Sequence, residues 1–148
     1  MIIQRVEPGS AAYSQEIELR RRVLRLPLGL DFSIEDLAGE KDDWHLVAEE
    51  SGRVVGCLVL TLVENGVMKM RQVAVDPELQ GQGIGTDMVR LSERVCSEAG
   101  IHKLILHARD TAVDFYLNLG YLIDGEPFEE VSLPHRRLYK VLSAPAQD

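Results

Sequence analysis

Apolar residues cluster in several short segments of the chain, as is typical of β-strands, and residues 1–7 also alternate weakly between apolar and polar positions. In the first half of the chain this pattern predicts the following strands: residues 1–7, 45–49, 54–63 and 67–75. Ser51-Gly52 and Asn65-Gly66 are hairpin-turn sequences that separate the last three of them. Residues 45–75 are therefore expected to form an antiparallel meander.

Helical spacing of apolar residues appears on the N-terminal side of this meander. One helix is predicted to begin after the turn Pro8-Gly9-Ser10, with Ser10 as its N-cap, and to run to about Leu24 or Leu26. A short second helix is predicted after Ser33, because Ser33-x-x-Asp36 resembles a capping box with Asp in place of Glu.

Two further helices are predicted in the second half of the chain. In the first, apolar residues recur at helical spacing from Ile84 to Val95, and Gly100 ends the helix. The second begins at 110 or 111 and ends at Gly120. Short strand-like segments complete the pattern: residues 103–107, 121–123 and 137–142. Together these elements predict a mixed α/β fold.

Length and composition limit the classes of protein to consider. The 148 residues suit a single domain over 1–148, and a net charge of -8 argues against a nucleic-acid partner. No apolar stretch is long enough for a membrane span, and the N-terminus lacks a signal-peptide pattern. Cys57 and Cys96 fit reduced thiols in a cytoplasmic protein. Neither these cysteines nor the scattered His45 and His102 have a metal-binding spacing, so no metal is expected.

The most informative segment is a strand, a glycine-rich loop and an amphipathic helix in succession. The loop carries glycine at positions 81, 83 and 85. The first amides of a helix have no partner within it and lie at the positive end of its dipole, so they bind anions. Glycine lets a phosphate approach the main chain closely. The pattern lacks the Gly-Lys-Ser/Thr of a P-loop, and Thr86 stands where the dinucleotide fingerprint needs glycine.

The loop resembles the signature of the GNAT superfamily of N-acetyltransferases, Gln/Arg-x-x-Gly-x-Gly/Ala, at every fixed position from Gln80 to Gly85. A second family signature is similar to the segment 112–121, in which Tyr116 precedes Gly120-Tyr121. Leu133-Pro134-His135 resembles the Ile-Pro-His of a bacterial subgroup. The resemblance covers about residues 45–142.

This resemblance implies a GNAT fold, in which a twisted and mostly antiparallel sheet has helices on both faces. The fourth and fifth strands, 67–75 and 103–107, are then parallel and splay apart around the cosubstrate acetyl-CoA. The implied cofactor-binding residues are Val73, Ala74 and Val75 for the pantetheine arm and Gln80, Gly81, Gln82, Gly83, Ile84, Gly85 and Thr86 for the pyrophosphate.

The resemblance also suggests catalytic residues for direct attack of a primary amine on the thioester. Tyr116 matches the family tyrosine that protonates the leaving thiolate, although periodicity alone would make it a core residue. The base stays open among His135, His107, Glu129, Glu130 and a water relay. Lys69, eleven residues before Gln80, stands where some histone-acetylating relatives carry a glutamate, so that base is missing.

Several alternatives stay open at this point. The acceptor is a small-molecule amine or a protein amine, and homodimers are common among relatives. A non-catalytic acyl-CoA sensor with the same fold is the competing interpretation. The basic run at Arg20, Arg21, Arg22 and Arg25 is expected to be a solvated helix face.

Overall fold

The computed structural model describes residues 1–30 and 37–143, and the capping box predicted at Ser33-x-x-Asp36 lies outside the described residues. The strands are β1 (Ile2–Val6), β2 (Trp44–Glu50), β3 (Arg53–Glu64), β4 (Val67–Val75), β5 (Lys103–Arg109), β6 (Leu122–Glu130) and β7 (Leu133–Val141). The α-helices with both ends described are α1 (Ala11–Arg20), α2 (Ile84–Glu98) and α3 (Val113–Asn118).

The strands form one seven-stranded sheet in the order β1-β2-β3-β4-β5-β7-β6. The β1–β2, β2–β3, β5–β7 and β6–β7 ladders are antiparallel. The predicted parallel pairing of the fourth and fifth strands is confirmed, with Val67–Met70 opposite Lys103–Leu106. The β4–β5 ladder stops at Met70, five residues before β4 ends. The mostly antiparallel sheet with one parallel pair, together with the helices, confirms the mixed α/β fold class predicted from the sequence.

The described chain divides into two compact units. The first unit comprises residues 1–61 and 72–92, and the second comprises residues 62–71 and the chain from 93 onward. The first unit carries β1, β2 and most of β3, and the second carries β5, β6, β7 and α3.

In the first unit, helices pack on opposite faces of the sheet. Leu19 of α1 packs with Val47 and Cys57, which are directly paired on β2 and β3. Gly56, the neighbour of Cys57, therefore points to the other face. A β-carbon at Gly56 would lie 2.9 Å from the Met88 side chain of α2, so glycine there allows α2 to pack closely against β3. Helices on both faces, as the sequence predicted, follow from this alternation.

The end of the first helix differs from the sequence prediction. Ser10 caps α1 as expected, because its side chain accepts a hydrogen bond from the Tyr13 amide at 3.1 Å. Regular α-helix ends at Arg20, and a π-helical turn over Arg21–Arg25 followed by a 3-10 turn over Leu26–Leu28 continues it. Apolar spacing cannot distinguish these helix types over so short a segment.

Arg20 contradicts the expected solvated basic face. Its side chain is fully buried, with one guanidinium nitrogen 3.0 Å from Glu16 Oε2 and the other 2.8 Å from Glu40 Oε2. His45 Nδ1 lies 3.0 Å from the same Glu16 oxygen. The spacing of Glu16 and Arg20, one helical turn apart, places both on the inner face of α1. We call Glu16, Arg20, Glu40 and His45 the buried tetrad.

The last two strands are longer than the alternation predicted. β6 runs from Leu122 to Glu130 at the edge of the sheet, and most of its residues are exposed on both sides. An edge strand with two exposed faces has no alternation of apolar and polar residues to detect. Pro127 falls where the pairing with β7 shifts register, a position in which proline is tolerated.

Candidate active site

In the first unit, the segment between β4 and α2 is anchored by Asp76. The Asp76 amide donates to Val55 O at 2.8 Å, and its carboxylate accepts from the Glu78 amide at 3.1 Å and from Arg53 at 2.6 Å. The Glu78 hydrogen bond, together with Arg53 and Arg22, holds the pKa of the buried Asp76 carboxyl below its ordinary value. Asp76 therefore fixes the direction in which the chain leaves β4.

The glycine-rich loop that follows presents an open main chain. Gly81 and Gly83 have φ of 84° and 87°, and a β-carbon at either position would meet nothing within 4 Å. Glycine is therefore needed there for backbone conformation and not for lack of space. The Gln80 side chain donates to Val75 O at 3.3 Å, which ties the loop to the end of β4.

The loop leads directly into the N-terminus of α2. Asp87 N donates to Gly83 O at 3.0 Å in the first turn, so the amides of Ile84, Gly85 and Thr86 precede the regular helical hydrogen bonds. Ile84 itself is buried, and its side chain anchors this turn in the core. Main-chain N–H groups on an open glycine loop at a helix N-terminus are suited to binding a pyrophosphate.

The predicted pantetheine strand contains a distortion that sequence reasoning missed. Gln72 adopts φ 55°, a left-handed conformation that is uncommon for a residue with a side chain. Its carbonyl accepts a weak hydrogen bond from Cys57 Sγ at 3.5 Å. Ala74 is buried in the core beside Leu19, so only its main chain is available to a ligand. No residue pattern in the sequence signals the left-handed conformation of Gln72.

In the second unit, Tyr116 is a buried residue of α3. Its ring packs edge-on against Phe115 and Tyr121, with centroids 5.0 and 5.7 Å apart. Burial raises the pKa of Tyr116. Over residues 1–30 and 37–143 its hydroxyl has no hydrogen-bond partner, whereas the Tyr121 hydroxyl donates to Glu93 at 3.0 Å. The Tyr116 hydroxyl is therefore neutral and available to donate a proton.

Three of the candidate bases meet on the β5–β7–β6 part of the sheet. Glu130 Oε1 lies 3.1 Å from His107 Nδ1, and Glu130 Oε2 lies 3.6 Å from His135 Nε2. The Phe128 ring packs against both imidazoles. We call His107, Phe128, Glu130 and His135 the histidine cluster. Glu129 is exposed and, as the neighbour of Glu130, points to the opposite side of β6.

The histidine cluster has a defined hydrogen-bond pattern. His135 is buried, and its Nδ1–H donates to Leu133 O at 2.8 Å, which leaves Nε2 facing Glu130. Partial burial favours the neutral acid of Glu130. The hydrogen bond from His107 and the neighbouring His135 and Lys69 nevertheless hold its pKa below the ordinary value. A carboxylate thus lies between two imidazoles.

Lys69 adjoins this cluster from β4. Its Nζ lies 3.4 Å from His107 Nδ1. Partial burial and the nearby Arg71 and Arg137 lower the pKa of Lys69, against the opposing effect of Glu130. The position that carries a glutamate in some relatives is therefore occupied here by a cation beside the candidate bases.

Comparison with known proteins identifies the family. The sequence profile of the Acetyltransferase (GNAT) family matches residues 14–121, which is most of the chain. The chain therefore belongs to the GNAT family of acetyltransferases. Over the described residues, no helix has the length and apolar character needed to cross a membrane.

Curated relatives match only part of the chain. A chloroplastic GCN5-related N-acetyltransferase 2 of Arabidopsis thaliana is 44% identical over 54 residues, which are 36% of this chain and 21% of that protein. An uncharacterized N-acetyltransferase of Chlorobaculum tepidum is 28% identical over 60% of this chain and 56% of its own length. The chain thus spans about a fifth and about half of these two relatives.

Solved structures show the same fold over nearly the whole chain. A putative N-acetyltransferase from Lactobacillus plantarum has a TM-score of 0.83 at 21% identity, covering 97% of this chain and 100% of that one. An aminoglycoside 6'-N-acetyltransferase complexed with coenzyme A has a TM-score of 0.83 at 17% identity, covering 100% of both chains. An Elizabethkingia anophelis family member with acetyl-CoA bound has a TM-score of 0.74 at 18% identity, covering 95% and 97%.

Proposed function

We propose that this protein transfers the acetyl group of acetyl-CoA to a primary amine by direct attack in a ternary complex. The observation that carries the proposal is the open glycine loop at the N-terminus of α2, in a chain of the GNAT family. Structural neighbours crystallised with coenzyme A and with acetyl-CoA support the choice of donor.

The chain's own main chain would hold the donor. The amides from Gln80 to Thr86 bind the pyrophosphate, since the glycines leave its approach open. The main chain at Val73, Ala74 and Val75, beyond the end of the β4–β5 ladder, hydrogen-bonds the pantetheine arm as an added strand would. An N–H near Val73 stabilises the oxyanion that forms on the thioester carbonyl.

The chemical step needs one acid and one base. The amine lone pair attacks the thioester carbon, and the carbon–sulfur bond breaks with its electrons going to sulfur. Tyr116 gives its hydroxyl proton to the departing thiolate, and the tyrosinate recovers a proton from the ammonium of the intermediate or from water. A buried neutral phenol without an internal partner suits this role.

We assign the base to His135 acting with Glu130 and His107. An acceptor that arrives as an ammonium must lose a proton before attack, and an imidazole can take it. The Glu130 carboxylate lies beside both rings and stabilises the imidazolium that results. Glu129 is left out because it points away from this group.

A panel of primary amines with acetyl-CoA tests the proposal, with release of free thiol as the signal. We expect turnover of at least one class of amine. Tyr116→Phe should lower kcat by about 100-fold and leave the KM for acetyl-CoA unchanged. Binding of acetyl-CoA without turnover of any amine would instead indicate an acyl-CoA sensor and would refute catalysis.

A further inference from the structure

We infer that one face of the sheet in the second unit binds an anionic group, a carboxylate or phosphate, of the amine acceptor. This inference rests on the proposed function and names the substrate class. The face is formed by alternate residues of β4, β5 and β7, and we call it the basic face. Its cations are Lys69, Arg71, Lys103, Arg109 and Arg137.

Strand register places these residues on one side of the sheet. Lys69 pairs with Ile105, His107 pairs with Arg137, and Arg109 pairs with His135. Side chains of directly paired residues lie on the same face, and every second residue of a strand repeats that face. The intervening residues of the same strands are buried on the other side: Leu104, Leu106, Ala108 and Leu138.

The charge of the basic face is opposite to that of the whole chain. The basic face carries five cations, and the neighbouring edge strand β6 adds two carboxylates on the same side of the sheet, Asp124 opposite Arg137 and Glu130 opposite Leu133. The chain as a whole carries -8. A cationic face on an acidic protein attracts an anion and repels a polycation within about one Debye length. The basic face therefore disfavours polyamines and other acceptors with several cationic groups.

Two cations at its centre have carboxylates nearby but make no close ion pair with them. Within the described part of the chain, neither Lys69 nor Arg137 forms an ion pair. Lys103 is engaged differently, with its Nζ 5.0 Å from the centre of the Tyr139 ring. Partial burial, with a smaller contribution from the nearby Arg137, lowers the pKa of Lys69 despite the opposing charge of Glu130. A bound carboxylate or phosphate would therefore stabilise the charged form of Lys69.

The position of Lys69 links the anion to the chemistry. Lys69 Nζ lies 3.4 Å from His107 Nδ1, and His107 is bound to Glu130. An acceptor whose anionic group rests on Lys69 presents its remaining atoms to the histidine cluster, where the amine would lose its proton. Acceptors of this class are amino acids and other amines that carry a carboxylate or a phosphate.

Matched acceptors test this inference directly. Each amino acid of a panel is compared with its carboxamide, using initial rates with acetyl-CoA. We expect the carboxylate form to have a kcat/KM at least about tenfold higher, because the carboxamide cannot make the charge-assisted contact with Lys69. Lys69→Gln should remove most of this preference. Arg136→Gln is the control, since Arg136 neighbours Arg137 but points to the opposite face.

A second experiment tests whether Lys69 binds the anionic group of the acceptor or the 3′-phosphate of CoA. Kinetics with acetyl-CoA and 3′-dephospho-acetyl-CoA are compared in wild type and Lys69→Gln. We expect Lys69→Gln to change the KM for the acceptor and not the ratio between the two donors. Three results would overturn the inference while leaving acetyl transfer intact. They are equal rates with acids and their amides, a preference for polyamines, and a Lys69→Gln variant that no longer distinguishes acetyl-CoA from 3′-dephospho-acetyl-CoA.

A measurement independent of turnover keeps the two proposals distinguishable. The chain has four histidines, so the ring signals of His107 and His135 can be resolved by NMR. An N-acetylated amino acid added to the CoA-bound protein should shift these two signals, and its carboxamide should not. Absence of any shift with every acid tested would contradict the basic face as a binding site, whether or not an amine is acetylated.

Discussion

His45 and Glu16 form a buried pair in which the imidazole Nδ1 lies 3.0 Å from the carboxylate Oε2. The other ring nitrogen, Nε2, lies 3.0 Å from the backbone oxygen of Glu40. A carbonyl oxygen only accepts, and an ionised carboxylate also only accepts, so both ring nitrogens donate. His45 is therefore an imidazolium, and the buried tetrad is neutral overall with two positive and two negative groups.

The first prediction concerns the pH dependence of stability. Burial favours the neutral ring, but the hydrogen bonds with Glu16 and Glu40 and the charges of these residues raise the pKa of His45 above about 6.5, its ordinary value. A raised pKa in the folded state stabilises the protein at low pH. This contribution is complete below about pH 6.5 and is lost as the pH rises through the folded pKa.

Urea unfolding at about pH 6 and about pH 9 measures this loss. The free energy of unfolding should fall more steeply with pH in wild type than in His45→Gln, which cannot titrate. The exposed His102 provides the control, and His102→Gln should keep the wild-type profile. Parallel profiles for wild type and His45→Gln would show that His45 is not charged in the folded protein.

The second prediction concerns Arg20. Its removal leaves Glu16 and Glu40 buried with a single cation, so Arg20→Gln should lower the free energy of unfolding by about 3–5 kcal/mol. Arg21, whose side chain is 44% exposed, makes a surface ion pair, and Arg21→Gln should cost less than about 1 kcal/mol. Chemical denaturation of both variants checks the difference, and equal effects would contradict the buried tetrad.

The third prediction concerns the strained strand. A β-branched residue at φ 55° is strongly disfavoured, whereas glycine adopts that conformation freely. Gln72→Val should therefore be about 2 kcal/mol less stable than Gln72→Gly. At Gln4, an exposed position of β1 whose φ is not positive, the order should reverse, since valine favours strands and glycine weakens them. The same order at both positions would show that Gln72 carries no strain.

The fourth prediction separates two neighbouring carboxylates. Glu130→Gln removes the charge between His107 and His135, so kcat/KM should fall by roughly 10- to 100-fold and the pH–rate profile should shift. Glu129→Gln alters the opposite side of β6 and should leave both unchanged. Steady-state rates over a range of pH, with acetyl-CoA affinity measured in parallel, test the assignment. An unchanged profile in Glu130→Gln would remove Glu130 from the mechanism.

The sequence predicted the parts of this protein that depend on local chemistry. The glycine loop is recognisable from the spacing of its glycines and its match to the family signature, and the positive φ at Gly81 and Gly83 agrees with glycine at those positions. The helix caps at Ser10 and Gly100 likewise follow local rules. The parallel pairing of β4 and β5 came from the family resemblance and from the crossover helix between them.

The remaining features depend on contacts between residues far apart in the chain. Arg20 looks like part of an exposed basic run until Glu40 and His45 are brought around it. His107 and His135 become neighbours only when β5 pairs with β7 and Glu130 lies between them. The length of β6 is underestimated from the sequence, because an edge strand exposed on both faces has no apolar stripe to mark its extent.

Binding of acetyl-CoA, measured by titration calorimetry, tests the central claim most directly. We predict that wild type binds acetyl-CoA and that Gly83→Asp weakens binding by at least about 100-fold, because a carboxylate would repel the pyrophosphate. Gly100→Asp is the matched control, since Gly100 has φ 84° and equally open surroundings but lies at the other end of α2. Wild-type protein that binds neither acetyl-CoA nor CoA, or a Gly83→Asp variant that binds as wild type does, would contradict the account.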